Sequence, residues 1–151
     1  MRRRLPMTEG MIMLVLRKPY LLYLGDALLK SDVKTAFGLR DWCRSDVIGE
    51  WSRPEARATL DLPRLTPAAA AAQGAGSIVI GVAPTGGALP DHWQDDLEGA
   101  LEAGLDVVSG LHTRLTSLPR LVRMAEARGV RLVDIRHTSA AFQVASGRRR
   151  T

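Results

Sequence analysis

The sequence predicts an α/β fold with an open, mostly parallel sheet of about five or six strands and helices on both faces. Short apolar runs of strand length alternate along the chain with patterns of helical period, and most connections between them are short. The clearest strand, SIVIGVA at 77–83, leads directly into the glycine-rich loop GVAPTGGALP. These observations indicate a Rossmann-like sheet, and a length of 151 residues fits one domain.

The first part of the chain predicts two strands with a helix between them. PYLLYLGD at 19–26 is an apolar run bounded by a proline and a Gly-Asp pair, which is typical of a buried strand. SDVKTAFGLRDWCR predicts a helix with Ser31 or Asp32 as its N-cap and with Cys43 at its end. DVIGEW at 46–51 predicts the second strand. The apolar face of the helix is expected to comprise Val33, Phe37, Leu39 and Trp42.

The connection after the second strand decides the expected strand order. Residues 52–67 are mainly polar and contain three prolines, and a short third strand fits around Arg64 and Leu65. With that strand the order 3-2-1-4-5-6 is expected, and without it the flavodoxin-like order is the alternative. Both orders place ligands beyond the carboxyl ends of the strands, near the point where the strand order reverses.

The second part of the chain continues the alternation. TPAAAAAQG predicts a short helix with Thr66 as N-cap, Pro67 at the first helical position and Gly74 after its end. Helices are also predicted at 91–104 and 117–129, and further strands at 105–110 and 130–136.

Glycine and ionisable residues gather in the turns that follow the predicted strands. The carboxyl ends of parallel strands meet at one edge of a sheet, so these turns are expected to converge on a ligand site. The opposite edge carries ordinary helix-ending residues such as Gly104 and Gly129. The residues of the predicted site are Gly25, Asp26, Lys34, Thr35, Pro84, Thr85, Gly86, Gly87, Gly110, His112, Arg136 and His137.

The backbone around Gly86 and Gly87 is a candidate cradle for a carboxylate or phosphate. Glycine lets backbone N–H groups approach a ligand closely, and amides before a helix N-terminus favour anions. The alternative is a tight turn from strand to helix. Lys34 and Thr35 lie in the first turn of a predicted helix, where a lysine opposes the helix dipole unless an anion compensates it or the lysine faces solvent.

His112 and Asp26 are the candidate catalytic residues. A histidine after a strand end, as in SGLHTRL, is suited to acid–base chemistry or to binding a carboxylate, with a structural histidine as the alternative. Asp26 ends the first strand and is suited to act as a base or to cap the following loop. His92, in PDHWQ, is interpreted as a surface residue at a helix start.

Several chemistries are excluded by their missing patterns. The chain lacks a G-x-G-x-x-G loop after the first strand, a G-x-x-x-x-G-K-[ST] loop and Cys/His spacing for zinc, so no dinucleotide, P-loop or metal site is expected. Six arginines in two terminal triplets account for the basic charge, which argues against a nucleic-acid surface on the fold. No apolar run approaches the length of a membrane span. The single cysteine fits a cytoplasmic location.

Five segments carry a resemblance to a known family. PYLLYLGDA, VKTAFGLRDW, IVIGVAPTGGALPDHW, ALEAGLDVVSGLH and RLVDIR occur in this order. Together they resemble the N-terminal domain of the bacterial D-glutamate N-acetyltransferase-like family, over about residues 19–150. The motif positions, Asp134 among them, are expected to form a binding edge rather than to carry assigned catalytic roles.

The resemblance implies a function and a domain plan. It implies acetyl transfer from acetyl-CoA to the amine of D-glutamate, in D-amino acid catabolism, by a protein whose Rossmann-like domain precedes a P-loop-type domain. We expect an extended or disordered segment at 1–18, the Rossmann-like domain at 19–138, and a linker at 139–151 toward a second domain that is missing here. A truncated chain of this kind is expected to supply part of the substrate site and to be inactive alone, with homo-oligomerisation left open. The alternative is a non-catalytic nucleotide- or CoA-binding module, or an oligomerisation module.

Overall fold

The computed structural model describes residues 15–137, and its centre is a sheet of five parallel strands. The strands are β1 (Tyr20–Gly25), β2 (Val47–Ser52), β3 (Ser77–Ile80), β4 (Asp106–Ser109) and β5 (Leu132–Asp134). Their order in the sheet is β2-β1-β3-β4-β5. The predicted open α/β sheet is confirmed. β3, β4 and β5 are shorter than the strands predicted at 77–83, 105–110 and 130–136. A 3-10 turn, Ile135–His137, follows β5.

Four helices cover the sheet on both of its faces. They are α1 (Lys34–Trp42), α2 (Pro67–Ala72), α3 (Trp93–Glu102) and α4 (Pro119–Arg128). Trp93 of α3 packs edge-on against Tyr23, with ring centroids 5.5 Å apart. Tyr20 instead lines a cleft shared with Leu39 of α1. Because Tyr20 and Tyr23 lie an odd number of positions apart on one strand, their side chains point to opposite faces.

The predicted third strand is reduced to a single parallel bridge. Arg64 pairs with Glu50 of β2, at the sheet edge where the third strand of the longer order would lie. Pro63 precedes Arg64, and Pro67 already begins α2, so little chain is left to extend the pairing. The five strands therefore have the flavodoxin-like order, with a rudiment of the longer order at the edge.

Glu50 fixes the path of the connection between β2 and α2. Its carboxylate is fully buried and accepts hydrogen bonds from the hydroxyl of Thr59 at 2.7 Å and from the backbone N–H groups of Leu60 and Leu62 at 2.7 and 3.2 Å. A buried carboxylate is tolerated when such donors satisfy it. The Glu50 carboxylate of β2 thus anchors the polar connection that follows this strand.

The two predicted helix starts have different outcomes. Thr66 caps α2 as predicted, and its side chain accepts from Ala69 N at 3.1 Å. The prediction of Ser31 or Asp32 as the N-cap of α1 is wrong, because a 3-10 turn, Lys30–Val33, occupies that position and α1 begins only at Lys34. Within the turn, Asp32 accepts weakly from Leu29 N at 3.4 Å.

The apolar face of α1 also differs from the prediction. Trp42 is 88% exposed rather than packed on the sheet. Ala36 is buried in its place, against Gly81 at the end of β3. A Cβ added at Gly81 would lie 2.6 Å from the Cβ of Ala36, so small residues on both elements let the helix approach the sheet. The end of α1 at Cys43 is as predicted.

The predicted terminal segments extend beyond the described residues. Residues 1–14 and 138–151, with both arginine triplets, lie outside the part of the chain that the structure describes. Within residues 15–137, no helix is long and apolar enough to cross a membrane.

Candidate functional site

Two clefts reach the carboxyl edge of the sheet, one on each side of residues 82–84, and the larger one extends along the sheet face to Leu16 and Tyr20. This segment leaves β3 and contributes to the walls of both. One cleft has a volume of about 600 Å³ and contains an arginine and a histidine, and we call it the cationic cleft. The other has a volume of about 430 Å³ and contains two aspartates, and we call it the acidic cleft. Most residues of the predicted site line one or the other.

The cationic cleft collects predicted residues from four elements of the fold. No acidic side chain is among its described lining residues, so an anion beside Arg136 meets no fixed negative charge there. The Arg136 Nε donates to the carbonyl of Gly110 at 3.1 Å, which fixes the base of the guanidinium. The predicted residues that line this cleft are Thr35, Pro84, Gly87, Gly110, His112 and Arg136.

His112 lies directly over Gly87. The backbone N–H of His112 donates to the carbonyl of Gly87 at 3.0 Å, which joins the loop after β4 to the loop after β3. A Cβ added at Gly87 would collide with the imidazole ring. Gly87 also has a φ of +77°, a conformation that favours glycine. The second glycine of the PTGG segment is therefore needed both for the turn and for the position of the histidine.

The PTGG segment differs in part from the predicted anion cradle. Residues Thr85–Gly87 form a separate 3-10 turn, and five residues lie between that turn and the start of α3. The N–H of Gly87 donates to the carbonyl of Pro84 at 2.9 Å, so this amide closes the turn. Gly86 is exposed and has a φ of +80°. Any backbone contribution to ligand binding must come from the turn itself rather than from the N-terminus of α3.

Asp134 supports the cationic cleft from the end of β5. Its carboxylate accepts from Leu115 N at 2.7 Å and also contacts the hydroxyl of Thr116 at 3.3 Å. These bonds hold the loop after β4 against β5, next to the segment that carries Arg136. The family motif residue therefore has a structural task within the predicted edge.

The acidic cleft lies between the turn after β1 and the loop after β3. Its polar groups are the carboxylates of Asp26 and Asp32, together with the indole of Trp93. Leu28 and Leu29 are 60% and 62% exposed and form part of its wall. The other lining residues are Ala27, Val82, Ala83, Pro84 and Pro90.

Asp26 is paired with His92, which the sequence interpretation placed on the surface. The His92 Nε2 lies 2.6 Å from Asp26 Oδ2. Burial favours a higher pKa for Asp26, but the hydrogen bonds from His92 and from its own backbone N–H, together with the nearby Trp93 indole N–H, lower the pKa below its ordinary value. The two residues are 66 positions apart in the chain, and only the meeting of β1 with the start of α3 brings them together.

Trp93 forms the floor of this region. Its side chain is 1% exposed, and its indole N–H interacts with the Asp26 carboxylate without reaching normal hydrogen-bond geometry. A Cβ added at Gly25 would lie 2.6 Å from the Trp93 ring, so the glycine at the end of β1 makes room for the indole. Gly25 is buried and is not among the residues that line the acidic cleft.

Arg53 holds the two sides of the acidic cleft together. Its backbone N–H donates to the carbonyl of Gly25 at 2.7 Å. Its guanidinium donates to the carbonyl of His92 at 3.3 Å and to Asp96 at 2.9 Å. Asp96 in turn accepts from the hydroxyl of Tyr23 at 2.5 Å. These bonds fix the end of β1 relative to the start of α3.

The remaining predicted residues are on α1 and in two short turns. Lys34 is exposed in the first turn of α1 and lines neither cleft. Thr85 and His137 lie in the short 3-10 turns after β3 and β5. The residues predicted to converge at the carboxyl edge are thus divided between two clefts whose charged side chains have opposite signs.

The described residues lack the groups that a metal ion or the phosphates of acetyl-CoA would need. Among residues 15–137, no three His, Cys, Asp or Glu side chains come close enough to hold a metal ion. Acetyl-CoA carries phosphates that need several cations or amide donors. Arg136 is the sole arginine or lysine in the described lining of the two clefts, and the turn after β1 carries aspartates instead. These clefts do not fit the phosphates of acetyl-CoA.

The relatives of this chain agree with the fold. A D-glutamate N-acetyltransferase from Tritonibacter scottomollicae is 42% identical over 136 residues, and one from a Pseudoalteromonas species is 37% identical over 135 residues. These matches cover 90% and 89% of this chain, which spans 41% of the length of each relative. A crystal structure of a DUF1611 family protein from Anabaena variabilis ATCC 29413 superposes with a TM-score of 0.64 at 27% identity. The superposed region covers 82% of this chain and 38% of the Anabaena variabilis protein.

A family model gives the assignment directly. The model of DUF1611_N, described as a Rossmann-like domain of unknown function, matches residues 49–138. The match includes the loops after β3, β4 and β5, which line the cationic cleft. The resemblance to the D-glutamate N-acetyltransferase-like proteins is confirmed by the relatives, and the chain belongs to the DUF1611_N family of Rossmann-like domains.

Proposed function

We propose that this chain is the Rossmann-like, N-terminal part of a cytoplasmic D-glutamate N-acetyltransferase-like protein and supplies part of its amino-acid site. The cationic cleft carries the proposal. Arg136 and His112 face a space with no acidic lining among the described residues, as a ligand with carboxylates requires. The names of the two curated relatives support D-glutamate as that ligand.

Acetyl transfer to an amine requires that the amine lose a proton. Asp26 is poorly suited to take it directly, because its lowered pKa makes the carboxylate a weak base. His112 is better placed for acid–base work, since its ring lies over Gly87 in the cationic cleft. We propose His112 as the base and Arg136 as the partner of a substrate carboxylate.

Acetyl-CoA is assigned to the part of the protein beyond this chain. The clefts described here lack the cations its phosphates need, and the chain spans only 41% of the curated relatives. The proposal therefore pairs this amino-acid site with an acetyl-donor site on a further P-loop-type domain, joined through residues 139–151. The chain alone is expected to bind substrate without turning it over.

A thermal melt of the chain tests this function. Melting curves are recorded with D-glutamate, L-glutamate, acetyl-CoA, ATP and NAD. A ligand at 100 times its dissociation constant adds about 2.7 kcal/mol, which raises the melting temperature of a domain this size by roughly 5–10 °C. We expect D-glutamate to give this shift, Arg136→Gln to abolish it, and Arg123→Gln, an exposed arginine on α4, to leave it unchanged.

The rival functions predict different curves. A shift with ATP or acetyl-CoA and none with either glutamate would replace the proposal with a nucleotide- or CoA-binding module. A stable dimer in size-exclusion chromatography without any ligand response would replace it with an oligomerisation module.

A further inference from the structure

The cationic cleft is larger than the amino acid that the proposed function places in it. Its volume is about 600 Å³, which lies in the middle of the range of clefts that enclose drug-sized ligands. A free amino acid is a much smaller ligand. With its carboxylate at Arg136, it would fill only the carboxyl end of the cleft, so the rest of the space has no assigned occupant.

The length of the cleft follows from the register of the sheet. Tyr20, which lines its far end, pairs with Ser77 at the start of β3, and the cleft continues past Ile80 to Pro84. Four strand residues between the level of Ser77 and Gly81 give it a length of about 13 Å along the sheet. The carbon chain of glutamate, with bonds of about 1.5 Å, spans less than half of that length.

The lining changes character from one end of the cleft to the other. The polar side chains Thr35, His112 and Arg136 lie at the carboxyl end of the sheet, and Tyr20 and Cys43 lie at the amino end. Between them the wall is apolar and consists of Leu16, Leu39, Val79, Val108 and Ile135. Such a wall binds an apolar group by removing it from water. The cleft therefore matches a ligand with an anionic head and an apolar chain.

Arg136 is oriented to hold the anionic head. Its Nε donates to the carbonyl of Gly110 at 3.1 Å, which leaves the two terminal nitrogens of the guanidinium for a ligand. A guanidinium binds a carboxylate strongly through two such donors. No acidic side chain is among the described residues of the lining, so no fixed negative charge there competes for the arginine.

We propose that the cationic cleft binds a carboxylate that carries a linear apolar chain, with the carboxylate on Arg136 and the chain along the sheet toward Tyr20 and Cys43. A chain of about eight carbons fits the length of the cleft. The inference deepens the proposed function and rests on it for the pairing of Arg136 with a substrate carboxylate. An N-acyl amino acid and a free fatty acid share this chemistry, and the experiment distinguishes them.

The single cysteine of the chain gives a readout at the far end of the cleft. Cys43 lines the cleft beside Tyr20 and is partly exposed. A chain that reaches this end should slow the alkylation of Cys43 by iodoacetamide. We expect octanoate and N-octanoyl-D-glutamate to slow it, and butyrate and D-glutamate to leave it unchanged at saturation, because they are too short to reach the thiol.

Calorimetric titration measures the contribution of each part of the ligand. Each methylene added between butyrate and octanoate should tighten binding about threefold to fourfold, the gain expected for one buried methylene. Replacing octanoate by 1-octanol should weaken binding about tenfold, the loss expected for a charge-assisted hydrogen bond.

Three variants connect these effects to the two ends of the cleft. Arg136→Gln should weaken octanoate binding about tenfold and leave 1-octanol binding unchanged, because the alcohol has no charge. Leu39→Gln should weaken both about tenfold, because it puts an amide into the apolar wall. Met124→Gln is the matched control: Met124 is a partly buried helix residue like Leu39, lies on α4 outside the lining, and should bind both ligands as the wild type does.

The outcomes separate this inference from the proposed function. If octanoate binds no more tightly than butyrate, or leaves the alkylation of Cys43 unchanged, the inference is wrong. If D-glutamate binds through Arg136 and octanoate does not bind, the proposed function stands and the inference falls. If octanoate binds through Arg136 and D-glutamate gives no response, the inference stands and the choice of D-glutamate falls. Tighter binding of N-octanoyl-D-glutamate than of octanoate supports an N-acyl amino acid as the ligand, and the reverse order supports a fatty acid.

Discussion

At the amino edge of the sheet the carboxylate of Asp106 is 2% exposed, whereas at the carboxyl edge that of Asp26 is 32% exposed. Asp106 accepts from Arg17 Nε at 3.1 Å, and from the backbone N–H and Nε of Arg131 at 2.8 and 3.0 Å. Asp26 is bonded to one histidine and lines a cleft. Both carboxylates have a lowered pKa, but only one of them faces a space that a ligand can enter.

The difference separates charges that hold the fold from charges available to a ligand. At the amino edge, Asp106 joins the segments before β1 and β5 to the start of β4, and Ser77 of β3 donates to the carbonyl of Arg17 at 2.7 Å. A carboxylate satisfied in this way is a poor binding group because its acceptor positions are taken. At the carboxyl edge the Asp26 carboxylate retains acceptor positions for a ligand. Stability and binding are therefore expected to respond to different substitutions.

The largest expected effect is a loss of stability from Asp106→Asn. The substitution keeps the shape of the side chain but removes its charge and one acceptor oxygen. Because the arginines are about half exposed, they can regain water, and the free energy of unfolding should fall by about 3 kcal/mol, the lower end for a broken buried pair. Urea unfolding measures it, with Asp61→Asn as the control. A variant as stable as the wild type would contradict the assignment of the amino edge.

The pH dependence of that loss sharpens the comparison. Burial favours a higher pKa for Asp106, and the hydrogen bonds from Arg17 and Arg131 outweigh it and lower the pKa in the folded protein. The stabilisation is therefore complete above the unfolded value, about 3.9, and is lost as the pH falls through the lower folded value. Urea unfolding at several pH values should find the gap between wild type and Asp106→Asn closing below about pH 4. A gap that widens in acid would have the wrong sign.

Gly87→Ala tests how the cationic cleft is built. The substitution adds the strain of a left-handed residue and a clash with the His112 ring, and about 2 kcal/mol of stability should be lost. Gly86→Ala is the matched control, since its φ is similar but no atom lies within 4 Å of the added Cβ, and it should lose about 1 kcal/mol. Chemical denaturation compares them, and equal losses would mean that the His112 contact does not matter.

Asp26→Asn should have the smallest effect on stability. The Asp26–His92 pair is partly exposed to water, so its loss is expected to lower the free energy of unfolding by less than about 1 kcal/mol. Denaturation alongside Asp106→Asn measures the contrast directly. Comparable losses for the two aspartates would remove the distinction between the two edges.

The sequence predicted the sheet and the edge that carries the candidate site, because these depend on local patterns. Apolar runs and the cap at Thr66 are visible within a few residues, and parallel strands place their following turns at one edge. The exposure of Trp42 was not predicted, because helical spacing alone does not show that α1 packs on Gly81 through Ala36 rather than through Trp42. The Asp26–His92 pair was missed because it depends on a tertiary contact across 66 positions.

The division of the site into two clefts was also beyond sequence patterns. The turns after the strands were predicted to converge, but the path of residues 82–84 between them depends on how the loop leaves β3. One signal was present, since PDHWQ places a histidine beside a buried tryptophan at a helix start. Without a partner in view, a surface histidine was the simpler interpretation.

Amide hydrogen exchange with and without D-glutamate tests the central claim most directly, because it compares both edges in one experiment. The account predicts slower exchange in the loops that follow β3, β4 and β5, at 81–92, 110–116 and 135–137, and unchanged exchange at 104–106 and 129–131. Protection at the amino edge, or at neither edge with saturating ligand, would contradict a site at the carboxyl edge of this domain.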